Sequence, residues 1–193
     1  MSTLKVDTIL KRTGTGTITL GQSGDTIAMP AATLTTALPV AQGGSGSTTL
    51  AGAGLVNTPA FEVQLSGNQS TSADTWTKVT FDTELFDTDN TFASNKFTPG
   101  ESGKYLLGAS LAWDGLGNAK TAYCAIYKNG SQYNSGITAP GVGAADTATI
   151  NIIVDSNTTD YFEVYALQND STINLIGNSA PECVFWGCKL IGI

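Results

Sequence analysis

The chain contains no histidine in 193 residues. That removes the commonest general base and the commonest metal ligand, so a Ser-His-Asp hydrolase and a His-liganded zinc site are excluded. Charge is scarce too, at 13% of residues against an ordinary share of about 25%. Lys and Arg number only nine against sixteen acids, for a net charge of −7. A nucleic-acid binder needs a basic footprint, and none is present. No run approaches the roughly 18 apolar residues that a membrane helix requires. The N-terminus, Met1-Ser2-Thr3-Leu4-Lys5-Val6-Asp7, lacks the continuous apolar stretch of a secretory signal. The expectation is a protein made in a cytoplasm, which leaves the sequons at Asn68, Asn129, Asn157 and Asn169 unused.

Cysteine is sparse and odd in number, with Cys124, Cys183 and Cys188. On a continuous strand the last two are about 16 Å apart and point to opposite faces. A disulfide needs Cα atoms within about 7 Å, so three free, buried thiols are expected. What replaces the missing charge is Thr, Gly, Ser, Ala and Asn, with 28 Thr and 22 Gly. Such a composition favours strands and turns over helices.

Two textures divide the chain near residue 58. Residues 1–58 have no aromatic side chain and a net charge of +1, from Lys5, Lys11 and Arg12 against Asp7 and Asp25. Residues 59–193 hold every Trp, Tyr and Phe and a net charge of −8, from six Lys against fourteen acids. A compact core can form only in the second part.

The first part repeats. Asp7-Thr8-Ile9, Gly16-Thr17-Ile18 and Asp25-Thr26-Ile27 share a Thr-Ile step at nine-residue spacing. Short β-prone bursts alternate with turn residues such as Gly14, Gly21-Gln22-Ser23-Gly24 and Pro30. So short a period cannot bury a core within one chain, but several chains wrapped together could bury Val6, Ile9, Ile18, Leu20 and Ile27 along a shared axis. The expectation for residues 1–38 is an intertwined β shaft, with a flexible tail as the other reading. Residues 39–58 read as a Gly/Ser/Thr linker. The run Gly43-Gly44-Ser45-Gly46 lacks the Lys of a phosphate-binding loop.

In residues 59–193, strand-like runs alternate with turns. They are Ala60–Leu65, Trp76–Phe81, Lys96–Thr98, Lys104–Trp113, Thr121–Lys128, Thr147–Val154, Tyr161–Leu167, Thr172–Ile176 and Val184–Ile191. Phe61, Val63 and Leu65 alternate with polar neighbours, as do Phe162, Val164 and Ala166. Asn129-Gly130 is a tight-hairpin signal because both positions tolerate positive φ. Nothing longer than a turn reads as helix. The fold class is all-β: an extended N-terminal β-repeat segment, then a two-sheet sandwich.

The run Val79-Thr80-Phe81-Asp82, then Phe86-Asp87, Phe97-Thr98-Pro99 and Gly103-Lys104-Tyr105-Leu106-Leu107 resembles the first half of the C1q/TNF-like jelly roll. More loosely, Ile126-Tyr127-Lys128-Asn129-Gly130, Asp160-Tyr161-Phe162-Glu163-Val164 and Phe185-Trp186-Gly187-Cys188-Lys189-Leu190 are similar to later strands of that family, in the same order. The resemblance implies three jelly rolls about a threefold axis, hence a homotrimer. Phe81, Phe97 and Tyr105 fall where they would fill the sandwich core. In the N-terminal part, Ser2–Ile9 with Gly14–Leu20, and Val40-Ala41-Gln42-Gly43-Gly44-Ser45-Gly46-Ser47-Thr48-Thr49-Leu50, resemble the opening and a later segment of bacteriophage fibre proteins. Together these resemblances imply a non-enzymatic virion fibre or appendage subunit. Residues 1–38 would contact other virion proteins, and the head would adhere to a host-surface polysaccharide or protein. The other classes are a capsid-decorating or tail-cementing protein and a soluble C1q-like lectin unrelated to virions.

Candidate chemistry is thin. Asp82, Glu84, Asp87 and Asp89 cluster, and Asp87 with Asp89 is the candidate cation site. A carboxylate pair for glycoside hydrolysis and a solvated acidic loop are the other readings. Trp113, Asp114 and Asn118, and separately Tyr133 and Asn134, are receptor-binding candidates, since rings stack on sugars and amides bond to hydroxyls. Trp113 is also read as core, and Trp76 and Trp186 as core or interface. No catalytic residue and no cofactor are expected.

Overall fold

The computed structural model describes residues 47, 49, 52–54, 56–138, 146–178 and 182–191. The chain divides into two units, Met1–Thr48 and Thr49–Ile193, and the second is described below. The expected shaft, with Val6, Ile9, Ile18, Leu20 and Ile27, lies outside the described residues, as does most of the expected linker.

Among the described residues there is no helix. In chain order the strands are β1 (Ala60–Gln64), β2 (Gln69–Thr71), β3 (Thr77–Lys78), β4 (Thr83–Asp87), β5 (Phe92–Ala93), β6 (Lys96–Phe97) and β7 (Gly103–Asp114). They continue with β8 (Ala122–Lys128), β9 (Ser131–Thr138), β10 (Asp146–Ser156), β11 (Phe162–Gln168), β12 (Ile173–Leu175) and β13 (Val184–Leu190). Two antiparallel sheets form. One runs β4-β1-β13-β7-β10, with β12 and β2 continuing from the far end of β7. The other runs β6-β11-β8-β9, with β5 beside β6 and β3 beside β11.

The long strand β7 organises the first sheet. It pairs with β10 from Gly103 to Trp113 on one edge, and with β13 from Lys104 to Ser110 on the other. Alternation along β10 is strict: Ala148, Ile150, Ile152 and Val154 face inward, while Thr147, Thr149, Asn151, Ile153 and Asp155 face out. The Asn129-Gly130 turn between β8 and β9 is realised with φ of 54° and 77°. These are the left-handed values that a tight hairpin demands.

Between the sheets the core is aromatic. Phe61 of the first sheet stacks on Phe97 of the second at 4.3 Å, and meets Phe185 edge-on at 4.8 Å. Tyr105 and Phe162, both fully buried, meet Phe97 at 5.8 Å and 6.3 Å, and Trp113 is fully buried farther along β7. Each such ring contact adds about 0.5–1.5 kcal/mol beyond the burial itself. The hydroxyl of Tyr105 donates to the Glu101 carbonyl at 3.0 Å, so this core tyrosine carries no unpaired polar atom. Phe81 and Phe97 fill the core as expected from their strand positions.

Four strands, β2, β4, β5 and β9, lie outside the runs read from the sequence, and β4 and β9 are the longest of them. Thr83–Asp87 reads as an acidic loop but forms β4, an edge strand against β1. Ser131–Thr138, which holds the receptor-binding candidates Tyr133 and Asn134, forms β9, the edge strand beside β8. Both are edge strands with their side chains mostly in solvent, so no apolar alternation marks them.

Candidate functional site

The acidic cluster spends its oxygens on its own loops. Asp82 accepts from the Ser66 amide at 2.7 Å and the Ser66 hydroxyl at 2.8 Å. These bonds hold its carboxyl below the ordinary aspartate range. A carboxylate so stabilised is a poor general acid at neutral pH. Burial pushes Asp87 up. The Phe92 amide at 2.7 Å, the Thr91 hydroxyl at 3.0 Å and the Asp89 amide at 3.4 Å outweigh it and hold Asp87 low. Asp89 accepts from the Thr88 hydroxyl at 3.2 Å. Among the described residues, no group of three or more Cys, Asp or Glu gathers as a ligand set. An open cleft of about 220 Å³ lies beside this cluster, walled by Val63, Phe81 and Phe92 with Asp82, Glu84 and Asn95.

The receptor-binding candidates are dispersed. Trp113 faces the core and is fully buried, so its ring has no face to offer a sugar. Neighbouring Asp114, the last residue of β7, and Asn118, midway along the connection to β8, are exposed. That connection is tied down by the Gly117 amide, which donates to Asp170 at 2.6 Å, and by buried Leu116. Tyr133 and Asn134 are also exposed, but they sit on β9 close to the Asn129-Gly130 turn. The seven residues of β8 separate the two groups, about 20 Å in extended chain. No single site unites them.

The outward faces of the two sheets carry features that the loop-centred sequence reading missed. On the first sheet, strand pairing aligns Asn151, Gly108, Trp186, Glu62 and Phe86 in one row. The next row is Ile153, Leu106, Cys188 and Ala60. Trp186 lies over Gly108, where an added Cβ would meet its ring. Ile153 is 60% exposed and Phe86 46%. An antiparallel sheet with one face in water ordinarily alternates to polar residues there; this one carries a Trp, a Phe, a Leu and an Ile.

On the second sheet, Tyr165 and Tyr127 stack at 4.0 Å, and Trp76 packs edge-on to Tyr127 at 5.9 Å and tilted to Tyr123 at 6.3 Å. Ala125, flanked by Tyr123 and Tyr127 on its own strand and by Tyr165 across the ladder, is fully buried among them. Trp76 and Trp186 are therefore on outer faces and not in the core. Register with β8 and β11 would have found this aromatic group; periodicity within one strand does not.

No protein-family model matches the sequence, and no curated protein matches it either. Solved structures do match. The globular domain of the zebrafish complement 1qA protein aligns over 68% of this chain and 96% of its own, at 17% identity and a TM-score of 0.51. The Eiger TNF of S. frugiperda aligns over 72% and 96%, at 10% identity and a TM-score of 0.52. Murine APRIL aligns over 68% and 98%, at 11% identity and 0.52. The head has the C1q/TNF jelly-roll fold. At these identities the likeness concerns the fold alone. Within this jelly roll, the sheet built on β7 carries the apolar outer face and the sheet built on β8 and β11 carries the tyrosines.

Proposed function

We propose that the chain is a non-enzymatic, homotrimeric subunit of a bacteriophage fibre or related virion appendage. Residues 1–38 attach it to other virion proteins, and the jelly-roll head adheres to the host surface. The observation that carries the trimer is the outer face of the β7 sheet. A Trp, a Phe, a Leu and an Ile in register on a solvent-facing sheet cost free energy in a monomer, at about 25 cal/mol per Å² of apolar surface left wet. Packing that face against a second and third copy removes the cost, and it suits the threefold arrangement that the C1q/TNF resemblance implies. The fibre assignment is supported by the phage-like motifs at Ser2–Ile9, Gly14–Leu20 and Val40–Leu50. Adhesion needs little affinity per head, because several heads on one particle act together.

Sedimentation or native mass spectrometry of the full chain tests the assembly: a trimer is expected, and a stable monomer would overturn it. Imaging of particles with antibody against residues 59–193 tests the location. Label at the tips of appendages is the expected outcome. Label absent from particles removes the virion reading, and a head buried among other virion proteins favours a cementing role.

A further inference from the structure

The two outer faces of the head differ in chemistry. The face of the β7 sheet carries Ile153, Leu106, Trp186 and Phe86 and suits permanent burial. The opposite face, formed by β11, β8 and β9, presents Trp76, Tyr123, Tyr127 and Tyr165 with Ile137, which is 58% exposed. We infer that this tyrosine face is a docking surface for neutral glycan chains. The inference rests on the adhesion reading and gives it a place and a ligand class.

Three observations carry it. The first is the state of the hydroxyls. Core Tyr105 is bonded to a backbone carbonyl, whereas among the described residues the hydroxyls of Tyr123, Tyr127 and Tyr165 have no protein partner. Each phenol is both a donor and an acceptor. Burial pushes the Tyr127 and Tyr165 hydroxyls above the ordinary tyrosine range, so they keep their protons at physiological pH. A face of rings with free hydroxyl tips matches a partner that is apolar on one side and hydroxyl-rich on its edge, which is the surface of a sugar ring.

The second is charge. Glu163, the carboxylate within the face, is neutralised by Lys78 at 2.7 Å. Lys96 sits 4.7 Å over the ring of Tyr161. Edge strand β9 adds Gln132 and Ser135, in register with Tyr127 and Ala125, and Tyr133 at the adjoining bulge, all exposed and none charged. A chain with a net charge of −7 repels anionic polymers, and this face holds no cationic cluster to reverse that, so neutral glycans are favoured. Tyr and Ser are also enriched in adaptable recognition surfaces.

The third is placement. If the β7 sheet packs about a threefold axis, the tyrosine face lies on the opposite side of the sandwich and points away from that axis. The rings are already held by mutual contact at 4.0–6.3 Å, so little side-chain entropy is lost when a ligand stacks on them.

The test uses the full-length trimer on immobilised dextran, mannan and galactan, with alginate and hyaluronate as anionic controls, and in parallel on a panel of intact bacterial cells. Binding to at least one neutral polysaccharide and none to the anionic pair is expected. Trp76→Ala and Tyr123→Ala should each weaken that binding by about tenfold or more. Tyr123→Phe should weaken it less, because the ring remains. Sedimentation and thermal midpoints of each variant verify that the trimer persists; Tyr123→Phe and Tyr133→Ala keep the test open if an alanine at position 76 or 123 unfolds the head. Cell binding without neutral-glycan binding, or cell binding abolished by protease treatment of the cells, overturns this inference and leaves adhesion standing. Neutral-glycan binding unchanged in all four variants overturns the assigned face. Binding to neither cells nor glycans removes both readings.

Discussion

The Trp186 indole lies over Gly108, across the β7–β13 ladder on the outer face of the sheet. A Cβ at Gly108 would collide with Cζ2 and Cε2 of that ring and with Asn151 Oδ1. Glycine here is therefore a platform, and its missing side chain lets a large ring lie against the backbone of the central strand. Gly108→Ala must lift Trp186 outward. In a lone head the ring can swing into water at modest cost, roughly 1–3 kcal/mol. In the proposed trimer the ring is held between subunits, so the same substitution should act mainly on assembly. The expected outcome is a head that still unfolds cooperatively in urea but sediments as a monomer at concentrations where the parent chain is trimeric. An alanine variant that stays fully trimeric would count against this face as the interface.

The thiols report on the same question. Cys124 is fully buried, and burial pushes its pKa far above the ordinary thiol value. Burial also raises Cys183, to about 11. Its sulfur accepts from the Ala112 amide at 3.3 Å. Thiolate is the reactive form, so neither should react with iodoacetamide at pH 8 until the protein is denatured. Cys188 is half-buried on the outer face of the β7 sheet, paired with Leu106. Mass spectrometry after alkylation should show Cys188 protected in the trimer and labelled in a Gly108→Ala monomer. Equal labelling in both would place Cys188 outside the interface.

Most of the sandwich was legible in the sequence because its strands bury one face and expose the other. β10 is the clearest instance, with Ala148, Ile150, Ile152 and Val154 alternating against Thr, Asn and Asp, broken only by the outward Ile153. The pattern fails for β4 and β9, where an edge position leaves both faces near solvent and the side chains follow no period. A signal for β9 was nevertheless present: the Asn129-Gly130 turn after β8 requires a returning strand, and Ser131–Thr138 is that strand. The candidate site was less legible. Tyr123 and Tyr127 become neighbours of Tyr165 only through the β8–β11 register, and Trp76 joins them from before β3. Trp113, read both as a loop-base aromatic and as core, is core: it lies on β7 and is fully buried.

Asp160 secures the turn that starts β9. It pairs with Lys128 at 2.9 Å and accepts from Asn129 Nδ2 at 2.7 Å and the Asn157 amide at 2.9 Å. The Lys128 and Asn129 bonds are the main reason that its pKa falls from 3.8 to about 2. A depressed pKa means that the folded state binds its proton less readily than the unfolded chain. Stability from this group is thus fully present above about pH 4 and is lost as the pH falls through about 2. Asp160→Asn should be less stable at pH 7, by roughly 1–3 kcal/mol for the lost charge-assisted bonds. It should also lose less stability than the parent on acidification between pH 4 and 2. Parallel urea midpoints for the two proteins across that range would refute the assignment.

Asp87 closes the loop from β4 to β5, and its role decides whether calcium matters to this head. Both of its oxygens already accept, one from the Phe92 amide and the other from the Thr91 hydroxyl. The first bond delivers Phe92 to its packing against Phe61 at 5.5 Å and Phe185 at 6.2 Å. A hard cation takes six to eight oxygen ligands, and among the described residues no third carboxylate joins Asp87 and Asp89. Thermal midpoints in millimolar Ca²⁺ and in EDTA should therefore coincide. Asp87→Ala should destabilise the head in both media equally, by about 1–3 kcal/mol, because it leaves the Phe92 amide unpaired. Asp89→Ala loses only an exposed bond to Thr88 and should stay within about 0.5 kcal/mol of the parent. A midpoint that rises with Ca²⁺ in the parent and not in either variant would instead make the pair a cation site.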